Sequence, residues 1–160
     1  MIYLLGGGYG FNNKIGEDFK LTLKDKDSIV FIPTTPEDKE KCEKYQKVNL
    51  EWFEEKGITF TDIEIIDQED SPDMAHSKIS DKEVIFLMGG DPVGQLDLIH
   101  NKQLEKVLKK SKAIIIGISA GALSICHNCI ITRDKDYPET MVLEWVVLTK
   151  GLKDEVHYSR

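Results

Sequence analysis

Short apolar runs that each end in a turn recur along this chain, and they constrain its fold more than any other feature. Residues 2–5 stop at Gly6-Gly7-Gly8, residues 29–32 stop at a turn, and residues 84–88 stop at Gly89-Gly90-Asp91-Pro92. Residues 113–117 run straight into Ser119-Ala120-Gly121-Ala122. These runs are apolar throughout and rich in β-branched side chains, as strands covered on both faces are. Helical patterns separate them. Asn12 or Asn13 can cap a helix that turns Ile15, Phe19 and Leu23 inward. Thr35-Pro36-Glu37-Asp38 opens a second, with Thr35 as cap, Pro36 at the first helical position and Tyr45, Val48 and Trp52 as its buried stripe. That helix should end at Lys56-Gly57, with residues 58–66 as the next strand.

Residues 67–81 are polar and contain Pro72, so they read as a connection with at most a short helix inside it. A helix follows Asp91-Pro92 through Val93, Leu96 and Ile99, and Asn101 can cap a second piece that carries Leu104, Val107 and Leu108. Strands that alternate with helices in this way give an α/β fold, a mostly parallel sheet with helices on both faces in three layers. Ligands of such sheets bind beyond the carboxyl ends of the strands, where this chain keeps its glycine-rich turns.

Composition narrows the function. The chain has 160 residues, 41% hydrophobic and 31% charged, the balance of one ordinary globular domain over residues 1–160. The longest apolar runs fall far short of the roughly 20 residues that cross a bilayer, and residues 1–6 lack the basic flank of a signal peptide. A cytoplasmic protein with no membrane partner is expected. A net charge of −7, from 21 basic and 28 acidic residues, disfavours nucleic acid. Three cysteines, Cys42, Cys126 and Cys129, do not make a disulfide framework. Cys126-His127-Asn128-Cys129 resembles half a zinc or redox motif but has no second pair, so buried thiols are expected, and no cofactor or metal. Trp52 and Trp145 read as core.

The sharpest chemical feature is Gly117-Ile118-Ser119-Ala120-Gly121, a G-x-S-x-G pentapeptide between a strand and a helix. A tight turn there holds a serine exposed and strained, with small neighbours that let a substrate approach. Helix-initial N–H groups, notably that of Ala120, then face the oxyanion formed when Ser119 attacks a carbonyl. A bare G-x-S-x-G is about as often a plain capped turn. Gly89-Gly90, at the end of the neighbouring strand, can bring a second backbone donor from Gly89 or Gly90. Asp91 reads as a helix cap. A serine nucleophile needs a base. His76 and His100 fall at surface positions, and His127 lies about 12 Å along the helix that Ser119 begins. His157, after strand-like residues 141–149 and the turn at Gly151, is the candidate base.

Together, Gly89-Gly90-Asp91, the Gly-Ile-Ser-Ala-Gly-Ala run from Gly117, and Gly151-Leu152 followed by His157-Tyr158 resemble the peptidase E family of serine peptidases, relatives of cyanophycinase. The resemblance implies a class I glutamine amidotransferase-like, flavodoxin-like fold. It also implies cleavage of small peptides, Asp-X dipeptides among them, with Ser119 as nucleophile, His157 as base and Gly90 with Ala120 as oxyanion donors. A homodimer is a further implication.

Two departures stand out. The family has asparagine where this chain has Asp91. Its relatives also continue beyond the histidine, and the residue that orients the base comes from that part, so the resemblance implies a C-terminally shortened domain in which Asp134, Asp136, Glu139 or Asp154 would have to substitute. Two other readings use the same elbow: an esterase-type acyl hydrolase, and a catalytically weak member that acts by binding.

Overall fold

The computed structural model describes residues 1–126, 128–131 and 138–144. In chain order the elements are β1 (Ile2–Leu5), α1 (Asn13–Thr22), β2 (Ser28–Ile32), α2 (Lys39–Glu54), β3 (Asp62–Ile65), α3 (Pro72–Ser80) and β4 (Val84–Leu87). They are followed by α4 (Pro92–Asn101), α5 (Glu105–Lys110), β5 (Ile114–Ile118), α6 (Ala120–Leu123), β6 (Asn128–Ile131) and β7 (Met141–Glu144). Strands β1 to β5 form one sheet in the order β1-β5-β4-β2-β3, and every pairing in it is parallel. Strands β6 and β7 pair antiparallel in a separate ribbon.

Burial explains the apolar runs. Every residue of β2 and β4 is buried, and alternate side chains feed two cores. On one face Val30, Ile32, Ile85, Leu87 and Ile115 pack with Ile79, Ile99 and Leu108 of α3, α4 and α5. On the other, Ile29, Phe31, Phe86 and Ile116 pack with Phe19 of α1 and Phe53 of α2, where Phe53 meets Phe86 edge-on at 5.8 Å between ring centroids. The three layers follow from this alternation. The edge strand β3 is the most exposed, and it is tied to the central sheet by Lys82, whose buried ammonium lies 2.7 Å from Asp62 and 2.8 Å from Glu64. Burial alone would lower the Lys82 pKa, but its two carboxylate partners outweigh that and raise it.

Local chemistry sets most element ends. Asn12 caps α1 by accepting from Ile15 N–H at 3.0 Å, and Ser71 caps α3. Asp91 caps α4 as expected, accepting from Val93 and Gly94 N–H at 3.0 and 3.2 Å.

Several expectations need correction. The second helix is capped by Asp38, not Thr35, because the Asp38 carboxylate accepts from Lys41 N–H at 3.0 Å; residues 33–37 are left as a loop before it. Its buried stripe is Cys42, Asn49 and Phe53, whereas Tyr45 is 46% exposed and Val48 and Trp52 are half-buried. The strand expected over 58–66 is confined to β3, with Ile58 and Phe60 buried in the loop before it. Asn101 closes α4 rather than capping α5, and Gln103 turns the chain between them at φ 55°. The helix after Ser119 ends at Leu123, and β6, which the sequence did not reveal, takes up Asn128 onward.

Candidate active site

Ser119 stands at the carboxyl end of β5 with φ 52° and ψ −116°, in the left-handed half of backbone space that non-glycine residues avoid. Three hydrogen bonds impose this turn. Ser119 N–H donates to the Leu5 carbonyl at 2.8 Å, which fixes the serine to β1, and the Ala122 and Leu123 N–H groups donate to the Ser119 carbonyl at 3.0 and 3.1 Å. The flanking glycines are required by packing. A methyl group on Gly121 would collide with the Leu87 carbonyl of β4, and one on Gly117 would lie 2.5 Å from the Gly121 carbonyl.

Gly7 and Gly89 border the serine: a methyl on either would sit 3.6 or 3.4 Å from Ser119 Cβ. Gly90 follows at φ 137°, and a methyl there would run into the Thr34 hydroxyl, which donates to the Gly89 carbonyl at 3.3 Å. The ends of β1, β2, β4 and β5 therefore converge here. Between them lies a cleft of about 570 Å³, bounded by residues 6–9, 33–35, 88–90 and 118–119 and by the α2 side chains Lys41, Tyr45, Val48 and Trp52. It sits where successive helices leave the sheet for opposite faces, the position at which open α/β sheets bind ligands.

Behind the cleft, Gln95 of α4 is fully buried. Its amide donates to the Ile32 carbonyl at 2.8 Å and the Met88 carbonyl at 3.2 Å, and its oxygen accepts from the Ser124 hydroxyl at 2.7 Å. One side chain thus joins the ends of β2 and β4 to the turn after α6. Sequence reading missed it; the available signal was a polar residue on the apolar stripe of Val93, Leu96 and Ile99. Cys42 also reaches the cleft, its thiol donating to the Thr35 carbonyl at 3.1 Å. Burial pushes that thiol's pKa up, so it stays protonated at neutral pH.

The structure brings Ser119, Gly89, Gly90 and Ala120 together, and it places two histidines elsewhere. His76 Nε2 lies 3.0 and 3.1 Å from the Lys102 and Gln103 carbonyls and lines a separate groove of about 710 Å³ at the opposite, amino-terminal edge of the sheet. His100 Nε2 lies 3.0 Å from Glu105. His127, His157, Asp134, Asp136, Asp154 and Trp145 lie outside the described residues, and Glu139 is exposed. Cys126 is buried, as expected, and its thiol donates to the Ala122 carbonyl at 3.3 Å. Among the described residues no cluster of three potential metal ligands occurs, and no helix is long and apolar enough to cross a membrane.

The sequence profile of peptidase family S51 matches residues 2–151. The chain belongs to that family. The match spans both glycine turns and the elbow of this S51 chain, so the resemblance to peptidase E read from those residues holds. A crystal structure of a peptidase from an acI-B1 actinobacterium superposes on the S51 chain with a TM-score of 0.57 at 18% identity. The superposition covers 79% of this chain and 57% of the other, so this chain spans little more than half of that peptidase's length, and the likeness is one of fold. Comparison with curated proteins finds no match.

Proposed function

We propose that this S51 member is a serine-type peptidase that cleaves small peptides through an acyl-enzyme on Ser119. The observation that carries the reading is the Ser119 turn itself, a strained serine held at the mouth of a cleft with Gly7 and Gly89 packed against it. Strain of this kind costs stability and persists where function uses it.

In the reaction, Ser119 Oγ attacks the scissile carbonyl carbon and its proton passes to His157. The tetrahedral oxyanion is held by the N–H of Ala120, which has no intrahelical acceptor at the first position of α6, and by an N–H of the Gly89-Gly90 turn. His157 then protonates the amine nitrogen, and the C–N bond breaks as the intermediate collapses to leave the acyl group on Ser119. Water, activated by the same imidazole, releases the acid and restores the serine. Asp-X dipeptides are the proposed substrates, by resemblance. No metal or cofactor enters this chemistry.

The test is release of free aspartate from a panel of Asp-X dipeptides, run beside chromogenic esters, with the 160-residue chain and its Ser119→Ala variant. Peptide hydrolysis that falls by about a thousandfold or more in the variant supports the reading. Ester turnover without peptide turnover, or peptide turnover that survives the substitution, overturns it.

A further inference from the structure

The α2 wall of the cleft contains a buried polar side chain that the fold itself does not use. Asn49 is 5% exposed and lines the cleft, yet among the described residues no protein group hydrogen-bonds its side chain. A carboxamide carries two N–H donors and a carbonyl acceptor, and burying it without partners is costly. The surrounding buried polar side chains are all engaged: Thr34 with Gly89, Cys42 with Thr35, and Gln95 with Ile32, Met88 and Ser124. Asn49 also occupies the buried stripe of α2 between Cys42 and Phe53, where an apolar residue would pack without penalty.

The electrostatics of the lining point to the kind of ligand. In a chain of net charge −7, the described residues that line the cleft include one cation, Lys41, and no carboxylate. The Lys41 ammonium pairs with no acid among the described residues. Eight residues apart on one helix, Lys41 and Asn49 lie about 12 Å from each other along its axis, too far to grip the same group. Asn49 is then the direct partner, and Lys41 acts through its field.

We propose that the α2 wall is a carboxylate-binding subsite in which Asn49 Nδ2 donates to a carboxylate oxygen of the bound peptide and Lys41 attracts that charge into the cleft. This rests on the peptidase reading and assigns its specificity to α2. The carboxylate comes either from an acidic side chain at the peptide's first residue or from the free C-terminus of a dipeptide.

Four peptides separate these sources: Asp-Leu, Asn-Leu, and the C-terminal amide of each. With Asn49→Leu, kcat/KM for carboxylate-bearing peptides is expected to fall at least tenfold, chiefly through KM, relative to Asn-Leu amide. Asn49→Asp, which sets a like charge against the substrate, should lower it about a hundredfold, and Lys41→Gln about two- to threefold with a weaker dependence on salt. A loss that follows Asp against Asn assigns the side chain; one that follows acid against amide assigns the C-terminus. Equal effects on all four peptides, or none, overturn the proposal. Circular dichroism checks that each variant is folded, and Asn49→Ser, which is shorter, replaces Asn49→Leu if the latter does not fold.

Calorimetric binding of Asp-Leu to Ser119→Ala protein, with and without Asn49→Leu, separates this inference from the peptidase reading. A wild type that cleaves nothing, with binding that depends on Asn49, defeats the peptidase and keeps the subsite. Peptide cleavage with binding indifferent to Asn49 does the reverse.

Discussion

Ser119 holds a backbone conformation that costs an L-residue about 1–3 kcal/mol, and the cost lies in its Cβ, at φ 52°. Replacing the serine therefore reverses a familiar order. Glycine at ordinary positions is about 0.5–1 kcal/mol less stable than alanine, but here Ser119→Gly should be about 1 kcal/mol more stable than Ser119→Ala in urea unfolding. Alanine as the more stable of the two would show that the turn is unstrained. Asn49 and Cys42 show how one helix face serves two purposes at the residue scale, since both are buried on the α2 stripe and both also line the cleft.

At the scale of elements, the site is built by four strand ends that must stay in register, and Gln95 holds two of them. Gln95→Leu strips the Ile32 and Met88 carbonyls of a donor and the Ser124 hydroxyl of an acceptor, so it should cost about 2 kcal/mol in urea unfolding. Peptidase activity should fall with it, because β2 and β4 carry the loops of the cleft. An unfolding midpoint equal to the wild type's would mean that the three bonds add nothing. The packing of α6 on β4 is equally tight. Gly121→Ala pushes a methyl into the Leu87 carbonyl and should destabilise by about 2–3 kcal/mol, whereas Gly6→Ala, where nothing lies within 4 Å, should change thermal stability little. If the two variants unfold alike, the close approach of α6 to β4 is not what sets the elbow.

For the molecule as a whole, the end of the sheet away from the cleft carries the acid-sensitive contacts. The Glu83 carboxylate accepts from Asp27 N–H at 2.8 Å, and this bond, opposed by burial and aided by Lys26 at 3.2 Å, lowers its pKa. A carboxyl whose folded pKa is depressed contributes stability that is complete above its unfolded value, near 4.3, and is lost as pH falls through the folded value. Glu83→Gln should thus be less stable than wild type at pH 7, with the gap closing towards pH 3; urea midpoints at pH 7, 5 and 3 check this, and a gap independent of pH would rule it out.

The sequence by itself determined the α/β class, most helix and strand positions, the Asp91 cap and the serine turn. These depend on periodicity, capping and glycine placement within a few residues of one another. Only the tertiary structure decided the strand order, the meeting of Gly7, Gly89 and Ser119, and the use of Gln95 as a tie. It also decided that Tyr45 and Val48 face a cleft, and that Trp52 lines the same cleft while packing edge-on against Phe11 of the core. An apolar stripe at helical spacing reads the same whether it meets a sheet or the wall of a binding site, and the difference depends on residues far away in the chain.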